Sequence, residues 1–97
     1  MKRETIVGFD EIFDYAEKKY KVDWNKCYDI FHTGAILCTD EGKDRNIDLA
    51  EKEAAIKDNE DHPSKYPWSE DKKLGYKIVI EFMKENNLKT MHVTNDF

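Results

Sequence analysis

From Phe9 onward, apolar side chains recur at three- and four-residue steps: Ile12, Phe13, Ala16 and Tyr20 follow, with Glu11, Asp14, Glu17 and Lys18 falling between them. That period fits an amphipathic helix and excludes a strand. Asp10 and Glu11 suit its positive N-terminal turn, and Lys18, Lys19 and Lys21 suit its end. A second stripe follows at once. Asp23 is placed as an N-cap, and Trp24, Cys27, Tyr28 and Phe31 repeat at i, i+3, i+4 and i+7 up to Gly34. Two short helices close together thus dominate the first third of the chain.

Around them the period changes. Glu4 to Val7, ended by Gly8, reads as a brief strand, and Ala35 to Thr39 reads as a buried one between turn signals. Asp40 to Lys43 is a loop. Asn46 is expected to cap a third helix from Ile47 to about Lys57, whose Ala50, Ala54 and Ala55 give propensity but little bulk. Asp58 to Trp68, with Pro63 and Pro67, reads as a loop of about eleven residues, long enough to be either functional or mobile.

The segment after it carries two periods. Ser69, Glu70 and Asp71 make a helix start, Asn86 and Asn87 a left-handed stop, and Leu74, Ile78 and Phe82 a stripe with Val79 and Met83. The alternation of Leu74, Tyr76, Ile78, Ile80 and Phe82 would instead suit a strand turning back through Lys84 to Asn87. We read a helix, because its caps agree at both ends, followed by a terminal strand around Met91 to Val93. The expected architecture is α+β, a single domain over residues 1–97 with three to four helices on a small sheet from residues 4–7, 35–39 and 89–94. The alternative is a mostly α chain with a C-terminal β-hairpin.

With 97 residues, a chain of this size closes one core without metal or disulfide. No apolar run approaches a membrane span or a signal stretch, so a cytoplasmic protein with no membrane contact is expected. Cys27 and Cys38 form no disulfide framework; both read as reduced thiols in apolar surroundings.

Several chemistries fail on spacing. Cys27, His32 and Cys38 stand five and six residues apart, too far for the tight ligand pairs of a zinc site. Asp44, Asn46 and Asp48 match the first ligands of a calcium loop, but Leu49 stands where its glycine must be and Ala55 where its glutamate must be. No nucleophile-elbow, phosphate-loop, dinucleotide or zinc-protease motif is present. A Cys–His pairing of Cys27 or Cys38 with His32, His62 or His92 would make a small enzyme, but no motif fixes one. We expect no catalytic residue, no metal and no cofactor.

The stretch from Ile12 to Ile30 resembles a helix-turn-helix in outline. Lys21 sits near the place of the turn glycine, however, and the second helix offers Asn25, Lys26 and Asp29 with no arginine. Such a surface meets phosphate poorly. A nucleic-acid-binding regulator is the alternative reading, and nucleic acid is an unlikely partner by charge.

Charge points elsewhere. The chain carries 21 acidic against 16 basic residues, and all of the net −5 lies within residues 39–72. An acidic segment of this kind suits a protein partner with a basic surface. The expectation is a small acidic protein-binding module with a regulatory role, in one version an inhibitor that covers a basic, nucleic-acid-binding surface of its target. Its expected contacts are Glu51, Glu53, Asp58, Glu60 and Asp61, with Tyr66 as an aromatic anchor in the loop. Trp68 is expected to fold back on the helix that follows.

Overall fold

The computed structural model describes residues 6–32, Leu37, 45–62 and 68–94. Among these residues the chain runs β1 (Ile6–Gly8), α1 (Phe9–Tyr20), α2 (Trp24–His32), β2 (Arg45–Asp48), α3 (Leu49–Asp61), α4 (Glu70–Glu85) and β3 (Thr90–Thr94). This is an α+β fold of four helices and a small sheet.

α1 begins where Glu11 accepts the Gly8 N–H at 2.9 Å, so its first turn is satisfied by a glutamate reaching backwards. It stops at Lys21, which holds φ 57° and ψ 34°. Glycine supplies that left-handed conformation at least cost, yet a lysine occupies it. The tight turn this makes brings α2 across α1. Phe13 lies between them, its ring stacked on Phe31 at 5.6 Å and meeting Trp24 and Tyr28 edge-on at 5.4 and 5.0 Å.

The ambiguous segment is helical. Ser69 accepts the Lys72 N–H at 3.1 Å, and Asn87 takes the left-handed φ of 55°. α4 buries Tyr76, Ile78, Val79, Ile80, Phe82 and Met83, so it is the central helix against which the others pack. Both periods in its sequence are real, because a helix buried on a wide face also satisfies much of a strand's alternation.

The sheet differs from expectation in its middle member. β3 is the central strand, parallel to β1 through Ile6↔His92 and antiparallel to β2 through Ile47↔Met91. Arg45 to Asp48 therefore forms a strand where a helix cap was expected, and the cap moves to Asp48, which accepts the Glu51 N–H at 3.3 Å. A four-residue strand, Arg-Asn-Ile-Asp with Ile47 as its one apolar residue, has almost no period to detect; pairing with β3 makes it. The strand expected over residues 35–39 lies outside the described residues except for Leu37, which is buried and belongs to no strand. Among the described residues no C-terminal hairpin forms, since both partners of β3 come from far upstream. The inner sheet face contributes Val7, Ile47, Met91 and Val93 to a core shared with all four helices.

Candidate functional site

α3 starts at residue 49 and runs through Asp61, four residues beyond the expected end, so the connection after it is shorter than the sequence implied. Its inner face is poor in apolar bulk. Leu49, Ala55 and Ile56 are half-buried, and the one buried side chain of the helix is Lys52. The Lys52 ammonium stands 4.6 Å from the centre of the Tyr76 ring. Tyr76 in turn meets Trp68 at 4.5 Å, and the Lys72 ammonium covers Trp68 at 4.3 Å. Two cations thus close a pair of rings, tying α3 to the start of α4 through cation–π attraction where apolar packing is thin. Trp68 folds back on α4 as expected.

The five acidic side chains singled out from the sequence all lie on α3, and all are exposed. They do not share one face. At about 100° per residue, Glu53 and Glu60 fall on the flank toward α4, Glu51 and Asp58 on the opposite flank, and Asp61 between them on the outside. Glu53 reaches Lys84 of α4 at 3.6 Å. Glu60 lines a cleft of about 280 Å³ with Lys73 and Lys77, and with Ile56 and Leu74 beneath. A second cleft, about 490 Å³, continues along Ile56 and Ile80 to Lys84. One flank of the acidic helix is therefore faced by lysines of its own chain. Ala50 and Ala54 point outward rather than into the core. Tyr66 lies outside the described residues.

The end of α3 is electrostatically unusual. Asp58, Glu60 and Asp61 occupy its last turn with no basic residue among them. A helix C-terminus already carries partial negative charge, so these carboxylates oppose the helix dipole. Each weakens the helix slightly instead of supporting it.

Elsewhere the described residues offer little chemistry. Cys27 is fully buried, and burial, with Glu17 and Asp23 nearby, pushes its thiol up to about 11, away from a reactive thiolate. Cys38 and the His32 side chain lie outside the described residues. His62 is exposed at the end of α3, and His92 lies on the open sheet face, where its Nδ1 meets the Asn46 Oδ1 at 2.7 Å across β3 and β2. Asn46 and Asp48, candidate calcium ligands by spacing, belong to a strand and a helix cap. Among the described residues no group of three or more His, Cys, Asp or Glu side chains is placed to hold a metal ion. Among them, too, no helix is long and apolar enough to cross a membrane. In α2 the lysine, Lys26, is bonded to Asp71 of α4 at 3.3 Å.

Midway along α1, Tyr15 packs edge-on against Phe82 at 5.5 Å and has Glu85 close by. Burial and the Glu85 charge push its phenol up to about 12. Sequence reasoning passed over this cluster because its members are 70 residues apart and form no motif. No family model, curated protein or solved structure matches this chain.

Proposed function

We propose that the protein is a non-catalytic binding module that engages a protein partner of basic surface through α3. The observation that carries this reading is the last turn of α3, where three exposed carboxylates oppose the helix dipole. An arrangement that costs the fold stability is relieved when cationic side chains dock on it. The flank bearing Glu51 and Asp58 leads the contact, because the Glu53 flank is already faced by α4 lysines. Tyr66 adds a packed anchor, as aromatic residues do in binding hot spots. Covering a nucleic-acid-binding surface is one form this regulation takes, since such surfaces are basic by necessity. The compartment is proposed to be the cytoplasm.

A helix-turn-helix reader of nucleic acid is a weaker reading. The one lysine of α2 is engaged by Asp71, and the other exposed side chains described there, Asn25, Tyr28 and Asp29, add no positive charge.

The test is affinity capture from the native host followed by mass spectrometry, with three baits: the wild-type chain, Glu51→Lys/Asp58→Lys, and the charge-matched control Asp14→Lys/Glu17→Lys on α1. A basic protein retained by the first and third baits and lost from the second supports the proposal. The same proteins on all three would show that α3 is only a solvated surface.

A further inference from the structure

We infer that the face formed by α3 and α4 is where a second copy of this chain docks, each copy laying its α3 along the α4 of the other. The inference rests on residues other than those leading the contact proposed above. The Glu53–Lys84 ion pair and the grouping of Glu60 with Lys73 and Lys77 show that α3 and α4 run in opposite directions. They also set Glu53 at the level of Lys84 and Glu60 at the level of Lys73 and Lys77. Between these two rails runs an apolar floor, with Ile56 and Leu74 half-buried and open to the clefts and Ile80 beneath. Across the two clefts four lysines balance four carboxylates, so this face is neutral on a chain of net charge −5.

Charge then selects the occupant. A purely basic partner would meet Lys73, Lys77 and Lys84 as like charges, and a purely acidic one would meet Glu53 and Glu60. The occupant must carry one rail of each sign, at matching spacing, on either side of an apolar strip. A half-turn about an axis parallel to the helices generates that surface from the chain itself. It sets Glu53 at the level of the partner's Lys84 and Glu60 at the level of the partner's Lys77. The other two-fold arrangement, about an axis across the helices, would set glutamate on glutamate and is disfavoured. The contact is isologous and therefore closes at two copies. Lysine stems from each copy lie over the apolar floor of the other while their ammonium groups stay in water. Helices about 20 and 24 Å long and about 10 Å wide offer roughly 400 Å² of face. That is below the standard size of about 800 Å² per partner, so a weak, transient dimer is expected.

Sedimentation velocity of the full chain from about 10 to 500 μM, a range suited to transient association, reads this directly. The wild type is expected to shift from monomer to dimer across that range. Glu53→Lys/Glu60→Lys and Lys77→Glu/Lys84→Glu should each raise the dissociation constant at least tenfold, by facing lysine with lysine or glutamate with glutamate. Mixed in equal amounts, the two variants should restore the dimer, because each then supplies the rail the other lacks. Circular dichroism checks that both remain helical; if the first does not, Glu60→Lys alone takes its place, and if the second does not, Lys77→Glu alone does, both at exposed positions. A wild type that stays monomeric, variants that dimerise like the wild type, or a mixture that fails to recover would each overturn the inference. Dimerisation without any basic partner, or the reverse, separates this inference from the proposed function.

Discussion

Phe13 shows how one residue joins two elements. It is 1% exposed, and rings of Phe9, Trp24, Tyr28 and Phe31 surround it within 6.0 Å. Phe13→Ala would remove the contact surface between α1 and α2 and leave a cavity that rigid rings cannot close. A loss of about 3–5 kcal/mol is expected in urea unfolding, with Phe13→Leu losing much less. A similar, small loss for both would mean that the α1–α2 contact is not part of the cooperative core. A different sign rule governs Tyr15 and Cys27. Folded Tyr15 holds its proton to about pH 12 against 10 for a free tyrosine, and folded Cys27 to about 11 against 9. Both are neutral below these windows, so they leave stability unchanged there. Above pH 9 the unfolded chain releases protons that the fold retains, and stability falls as pH rises. Urea midpoints between pH 8 and 11.5 should therefore decline, and Tyr15→Phe should flatten the part above pH 10. An unaltered slope in that variant would place the alkaline loss elsewhere.

At the scale of elements, α1 and α4 were legible because their stripes, caps and stops agree. Glu11, Ser69 and Asn87 act in the structure as their positions imply. β2 was not legible. Its pairing with β3 is set by residues more than forty positions away, and Ile47 as the one apolar residue carries no period. For α3, composition gave the helix but not its limits: residues 58–61, with Asp and Asn and close to Pro63 and Pro67, read as loop, and acidic side chains there are wrong for a helix end. They form one nonetheless, and that mismatch is the feature on which the functional reading stands. A direct consequence can be measured. Asp58→Lys/Asp61→Lys should raise the stability of the fold by a few tenths of a kcal/mol per site, because cations suit the C-terminal end of a helix. Thermal unfolding at low and at 0.5 M salt tests this, with the gain shrinking in salt. A destabilised variant would mean that these carboxylates serve the fold and not a partner.

For the whole molecule, the sheet sets the architecture. β1 opens the described chain and lies beside β3 near its other end, so the central strand is the last one and the helices are gathered between them. The gathered helices leave α3 on the outside, held by β2 and α4. Sequence placed the acidic residues within one segment, but only the fold divides them into a flank faced by Lys73, Lys77 and Lys84 and a flank that no cation of the described residues pairs with. That division makes the central claim measurable. With a captured basic partner in hand, stopped-flow association is compared for the wild type, Glu51→Lys/Asp58→Lys and Asp14→Lys/Glu17→Lys. Both variants change net charge equally, so long-range attraction alone would slow them alike. If α3 is the docking element, its pair should lower the association rate by about tenfold, on the scale of electrostatic steering, and steepen no other step. The α1 pair should change it by less than about threefold. Equal slowing by the two pairs, or none by either, would contradict the assignment of the contact to α3.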